Sequence, residues 1–163
     1  MAEEHESGQP YDAPPDFFAE AYESGAAQPL RDWGAPVQVH VEGAFRACSG
    51  ESEEHCVVLS DGIGKMVIVI GRAEWVSIRL ALAQRTHDRP LTHDFLLRVV
   101  EALDADVDRV LIDDEQNGTF YAKAYFDLED EIVEVDCRPS DAMALAIRAQ
   151  APIFVSSGLL YRD

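Results

Sequence analysis

Two stretches of this chain hold β-type apolar runs joined by turns far too short for a crossover helix. Cys56–Leu59 and Met66–Ile70 flank Asp61-Gly62-Ile63-Gly64, and Val107–Ile112 leads through Asn117-Gly118 into Thr119–Phe126. Leu128–Glu131 then turns the chain again into Ile132, Val133 and Val135. Parallel neighbours need a connection of about a dozen residues or more, whereas an Asn-Gly or Asp-Gly pair closes an antiparallel hairpin. A doubly wound parallel sheet is therefore excluded. The expected fold is α+β, a mostly antiparallel or mixed sheet of hairpins with about three helices.

Further alternation completes the sheet. Val37, Val39 and Val41 interleave with Gln38, His40 and Glu42, a half-buried strand running toward Ala47. Ser49–Glu54 reads as a polar loop, Asp113-Asp114-Glu115 as a solvated strand end, and Ile153–Val155 as a short last strand. Three segments switch to helical spacing. Ala73–Ala83 buries Trp75, Ile78 and Leu82; Thr92–Leu103 carries the stripe Phe95, Leu96, Val99, Val100 and Leu103; and Pro139 opens a helix over Asp141–Ala149 that is apolar nearly all round and therefore buried. Thr92 and Ser140 are expected helix caps. The segments around Val69-Ile70-Gly71-Arg72 and Val135-Asp136-Cys137-Arg138 each lead from strands into a helix with an acidic first turn. An internal duplication and two independently similar helices both fit that echo.

Charge bounds the function. The 163 residues carry 31 Asp and Glu against 13 Lys and Arg, a net charge of -18, and 47% are hydrophobic. That apolar fraction supports a core, while the acidity disfavours any extended basic stripe for gripping nucleic acid. Contact with nucleic acid would have to be local, through a few arginines or a bound metal. Self-repulsion on this scale points to a salt-adapted cytoplasm, since ions near 1 M shorten the screening length to about 3 Å. The apolar runs, Met66–Ile70 among them, are too short to cross a bilayer, and the acidic start Met1–Glu6 lacks the features of a signal peptide. A cytoplasmic protein is expected. Cys48, Cys56 and Cys137 form no CxxC pair, which fits a reducing compartment. Residues 1–35, acidic and interrupted by Pro10, Pro14, Pro15 and Pro29, read as a disordered arm apart from a Phe17–Tyr22 patch, leaving 36–163 as the folded domain.

Two clusters concentrate the chemistry. Arg89-Pro90-Leu91-Thr92-His93-Asp94 lies at one helix start, and Asp136-Cys137-Arg138-Pro139-Ser140-Asp141 at a strand-to-helix corner. Each joins an arginine, a hydroxyl and a carboxylate to outward-pointing first-turn amides, which attract phosphate. Arg89, Thr92, Arg138 and Ser140 are the candidate phosphate binders. Asp94, Asp136 and Asp141 are candidate ligands for Mg²⁺ or Mn²⁺, and His93 a candidate proton carrier, so the catalytic candidates are His93, Asp94, Asp136 and Asp141. The same residues have a purely structural reading as caps, dipole partners and loop ties, as has Glu74 on its own helix. His40, His55 and His87 lack ligand spacing. No P-loop, GxGxxG, HExxH or GxSxG motif is present.

These clusters, together with Val67-Ile68-Val69-Ile70-Gly71 and Glu74, Asn117-Gly118-Thr119-Phe120-Tyr121-Ala122, and Val135–Ala142 followed by Ala151-Pro152-Ile153, give the chain its resemblance. In order and spacing it resembles the bifunctional nuclease domain family across roughly residues 37–160. Cys137, Trp75 and Val76 stand where that family usually has small residues. The resemblance implies an α+β fold, self-association, with a dimer as the simplest form, and hydrolysis of DNA and RNA with little sequence preference. The competing expectation is a non-catalytic oligomeric interaction module or a binder of small phosphorylated ligands. The catalytic account requires the two clusters to meet in space.

Overall fold

The computed structural model describes residues 31–49, 52–85, 87–129 and 131–162. The aromatic patch near Phe17 and nearly all of the expected N-terminal arm lie outside the described residues. The strands are β1 (Pro36–Ser49), β2 (Ser52–Ser60), β3 (Lys65–Ile70), β4 (Asp106–Gln116), β5 (Thr119–Leu128), β6 (Glu131–Cys137) and β7 (Ile153–Ser156). Helices α1 (Arg72–Leu82) and α2 (Thr92–Ala102) lie between β3 and β4, and α3 (Pro139–Ala149) between β6 and β7. The seven strands form one mixed sheet in the order β3-β2-β1-β7-β4-β5-β6. All neighbours are antiparallel except β4 and β7. The fold is thus α+β, as the hairpin pattern requires, with the last strand joining two three-stranded meanders.

Both predicted turns are built by local chemistry. Asp61 Oδ1 accepts from the amides of Ile63 and Gly64 at 2.9 and 2.7 Å, and Gly62 adopts φ +90°. Asn117 and Gly118 take φ values of +53° and +84°, the paired left-handed conformation of the tightest hairpin turn. Three strands extend beyond their sequence limits. Ser49 pairs with Ser52 and Ala47 with Glu54, so the expected polar loop from Ser49 to Glu54 is mostly ladder. Likewise Asp114 pairs with Tyr121 and Glu115 with Phe120. Asp114 is buried, accepting from Trp33 Nε1, Gln116 Nε2 and the Glu115 amide, each at 2.8 Å. It is a satisfied interior acceptor, not a solvated strand end. Backbone pairing overrode the polar composition, which carries no information about a partner strand. Trp33 also places the ordered domain's start ahead of residue 36, because its carbonyl accepts from the Gly158 amide at 2.6 Å.

The core explains the position of α3. Val57, Leu59, Met66 and Ile68 from the first meander and Val110, Ile112, Ala122 and Ala124 from the second close on Ala142, Met143, Ala144 and Ala146. Alanines let α3 approach the sheet closely, and Met143 fills the space they leave at 0% exposure. Burying a side chain such as Ile78 or Met143 stabilises the fold by about 1.5–3 kcal/mol. The other two helices are themselves less completely buried. On α1, Ile78 is buried and Trp75 half-buried, but Leu82 is exposed. On α2 only His93 and Val100 are buried, while Phe95, Leu96 and Leu103 face solvent. The amphipathic stripe expected on α2 is real as a pattern, but only part of it meets the domain. Among the described residues, no helix is long and apolar enough to cross a membrane.

Candidate functional site

The three helices begin alike. Gly71, Leu91 and Arg138 are the residues preceding their first turns, and none caps with its side chain. Thr92 and Pro139 are already helical, so Thr92 and Ser140 stand one and two positions inside and are not caps. Each helix instead carries a carboxylate at its third residue: Glu74, Asp94 and Asp141. Asp94 Oδ2 reaches back to the Leu91 amide at 2.8 Å, satisfying a donor left open at the helix start.

All three first turns line a single cleft of about 690 Å³, walled by Glu74, Ser77, Thr92, His93, Arg138 and Asp141. The two sequence clusters therefore do meet. His93 Nε2 lies 3.1 Å from Asp141 Oδ1, and its Nδ1 lies 2.9 Å from Ser77 Oγ. Arg138 binds Asp141 through Nε at 2.7 Å and a terminal nitrogen at 3.0 Å, and the same nitrogen is 3.1 Å from Glu74 Oε1. Gly71 leaves room for this pairing, since a Cβ there would collide with Glu74 Oε2 at the end of its flexible side chain. Behind the cleft, Arg148 of α3 is 8% exposed and ties the helices together. It donates to Asp94 at 2.5 Å, to the Ala144 carbonyl at 2.9 Å, and to Ser77 O and Oγ at 3.2 and 3.0 Å.

The electrostatics follow from these contacts. Burial pushes the Asp141 carboxyl upward, but the hydrogen bonds from Arg138 and His93 outweigh it and hold the group below the usual carboxylate range. Asp94 behaves the same way: burial is opposed by the Arg148 bond and the Leu91 amide, and the net effect is downward. The Arg138 guanidinium is raised, first by its hydrogen bond to Asp141. Burial, with the charges of Asp136 and Asp141, pushes the Cys137 thiol up to about 11, so it remains a protonated, unreactive thiol at neutral pH.

The other sequence candidates are dispersed. Asp136 is exposed on β6, opposite Lys123 on β5, and does not line the cleft. Arg89 is exposed in the segment before α2, also off the cleft wall. Ser140 is buried and lines a neighbouring groove with Gly118, Thr119 and Phe120. Asp94 faces Arg148 rather than the cleft. The expected carboxylate set Asp94, Asp136 and Asp141 is thus not assembled. Among the described residues, no three or more His, Cys, Asp or Glu side chains are grouped to hold a metal ion. Arg138 already occupies the place between Glu74 and Asp141 that a cation would need. These residues as arranged do not fit a divalent ion.

The sequence reading missed Ser77 and Arg148 and took Glu74 only as a dipole partner. A signal existed: Ser77 follows Glu74 by three residues and Arg148 follows Asp141 by seven, so each shares a helix face with a cleft carboxylate.

An α+β domain whose helix starts converge on an arginine-bridged carboxylate cleft is the setting in which its relatives can be placed. The model of the bifunctional nuclease domain matches residues 57–163, more than half of the chain, and the chain belongs to that family. It is also similar to two Mycobacterium tuberculosis proteins, Uncharacterized protein MT1877 of strain CDC 1551 / Oshkosh and Uncharacterized protein Rv1829 of strain ATCC 25618 / H37Rv. Each is 38% identical over 101 residues, covering 62% of this chain and 60% of the relative. The chain thus spans about three fifths of the length of these relatives.

Proposed function

We propose that the chain hydrolyses phosphodiester bonds of nucleic acid, DNA and RNA alike, in the cleft where the three helix starts meet. The observation that carries this reading is the convergence of three positive helix ends on Arg138 and His93. A helix start favours an anion, and the planar guanidinium fork matches two phosphate oxygens.

The carboxylates explain how the cleft can be both stable and receptive. Arg138 directs its N–H groups to Asp141 and pairs with Glu74, and His93 Nε2 lies against Asp141. A phosphate oxygen competes with these carboxylates for the same donors. When Arg138 turns to the phosphate, Glu74 and Asp141 each lose a partner and can accept a hydrogen bond from an attacking water. Once turned to the phosphate, these donors face the oxygens on which charge develops and need no further rearrangement during the reaction. Recognition through a few phosphate contacts would give low sequence preference, because the phosphate carries no base information. It also suits a domain too acidic for an extended nucleic-acid surface.

Purified chain incubated with labelled DNA and RNA in molar KCl tests the reading, with parallel arms in EDTA, Mg²⁺ and Mn²⁺ that measure metal dependence directly. Cleavage is expected in wild type and is lost in His93→Ala and Arg138→Ala variants that keep their circular dichroism. Equal cleavage by all three, or none by wild type, refutes it. The latter result favours an interaction module, the reading to which the net charge of -18 lends weight.

A further inference from the structure

We infer that Ser77 and Arg148 are positioning residues that fix the His93 ring in its Nε2–H tautomer, so that the cleft is offered a proton donor and not a lone pair. The chemical meaning of that state rests on the phosphodiesterase reading above.

A guanidinium has five N–H groups and no acceptor. The Arg148 contact to Ser77 Oγ at 3.0 Å therefore has one direction only: arginine donates and the hydroxyl accepts. At the other end, the carboxylate of Asp141 is held below the usual range and is ionised at neutral pH, so it only accepts. The 3.1 Å contact from His93 Nε2 to Asp141 Oδ1 then places a proton on Nε2. A neutral ring protonated at Nε2 has a lone pair at Nδ1, which lies 2.9 Å from Ser77 Oγ. Ser77 has one hydroxyl proton, and that lone pair is its matching acceptor. For a neutral ring the donations run in one sense, from Arg148 through Ser77 and His93 to Asp141, and every contact in the chain is then matched donor to acceptor.

Arg148 cannot leave this chain at low cost. Its side chain is 8% exposed, with Asp94 and the Ala144 carbonyl taking other donors. Ser77, 5% exposed, is held through its backbone carbonyl by the same guanidinium. The hydroxyl is thus presented at a fixed angle from a rigid helix, as an orienting group must be. The consequence is a change of role for His93. With Nδ1 engaged by Ser77 and a proton on Nε2, the ring enters the reaction as a donor to a phosphoryl or leaving-group oxygen. Extraction of a proton from water falls to the carboxylates.

The test uses the full chain with ¹⁵N-labelled histidine and long-range ¹⁵N–¹H NMR at about pH 7, where an unperturbed imidazole is mostly neutral, combined with the cleavage assay. Wild type is expected to show His93 as a neutral ring protonated at Nε2. Ser77→Ala should move the Nδ1 resonance toward that of an unbonded imine nitrogen and lower kcat by about 10- to 100-fold with little change in KM. Ser77→Thr, which restores a hydroxyl, should recover both. Arg148→Lys keeps a charge for Asp94 but lacks the fork that also reaches Ser77, and should shift the same resonance. A ring protonated at Nδ1, or doubly protonated, in wild type overturns the inference, as does an Nδ1 resonance unchanged in Ser77→Ala. If Ser77→Ala does not fold, the wild-type ring state decides alone. The expected ring state in a chain that cleaves nothing would leave the positioning intact and remove the phosphodiesterase reading; cleavage with the opposite tautomer would do the reverse.

Discussion

His93 and Asp141, separated by 48 positions in the chain, lie 3.1 Å apart across the starts of α2 and α3. Arg138, three residues before Asp141, completes the group by holding the carboxylate's other oxygen at 2.7 Å. Asp141 is therefore the shared acceptor of two donors from different segments. Replacing it by alanine leaves both donors without their partner and lets Arg138 swing toward Glu74. We expect Asp141→Ala to reduce cleavage by about 100-fold or more, the usual scale for a lost proton-handling or orienting group. Steady-state assays on a variant with unchanged circular dichroism measure the effect, and a loss below about threefold would contradict the role.

Two arginines near the cleft should behave oppositely. Arg148 is nearly enclosed, and Arg148→Ala strands Asp94 without its charge partner; about 3 kcal/mol of stability should be lost. Arg138 has a side chain 66% exposed, so Arg138→Ala should cost less than about 1 kcal/mol while abolishing cleavage. Urea titration of both variants separates the structural arginine from the functional one.

Gly71 provides a finer test of Glu74. Its φ of -68° suits any residue, so Gly71→Ala introduces no backbone strain. The added methyl would, however, meet Glu74 Oε2 at 2.3 Å and displace the carboxylate from Arg138. Stability should change by under about 1 kcal/mol, since the displaced atom ends a flexible side chain. Cleavage should fall. A fully active Gly71→Ala variant would remove Glu74 from the mechanism.

Acid sensitivity follows from Asp94 and Asp141, both held below the ordinary carboxylate value of 3.8. A depressed folded-state value means that the unfolded chain takes up protons first as pH falls. Their contribution is complete above the ordinary value and is lost as pH drops below about 4 toward the folded-state values. Thermal melts from neutral pH to about pH 2.5 should show a decline beginning near pH 4 that is shallower in Asp94→Asn.

Salt should stabilise the domain. With a net charge of -18, repulsion between acidic surfaces is weakened as the screening length shrinks from about 10 Å at 0.1 M to about 3 Å at 1 M. The melting temperature should rise across that range in KCl. A flat or falling profile would refute salt adaptation.

Much of the fold was legible because its signals are local. Asn117-Gly118 and Asp61-Gly62 specify turns through their own backbone and side-chain preferences, and the apolar run of α3 requires burial wherever it lands. What failed was nonlocal. The polar strand ends at Glu115 and Glu54 are extended by partner strands, and the stripe of α2 says nothing about how much of it the domain covers. At the site, Arg138, His93 and Asp141 stood out because each belongs to a dense motif. Asp136 and Arg89 belong to the same motifs yet lie off the cleft wall, since neighbours in sequence leave a strand or loop in different directions. Ser77 and Arg148 were hidden because nothing in their immediate neighbourhood is unusual; only the crossing of α1, α2 and α3 gives them a task.

Helix α3 is surrounded along most of its length by other parts of the domain, and its first turn supplies Asp141 directly after Arg138. Amides in such a segment exchange with deuterium only when the whole domain opens. Asp141 is thus rooted in a segment expected to be among the last to open, so the backbone of this corner holds its place while the exposed Arg138 side chain exchanges partners.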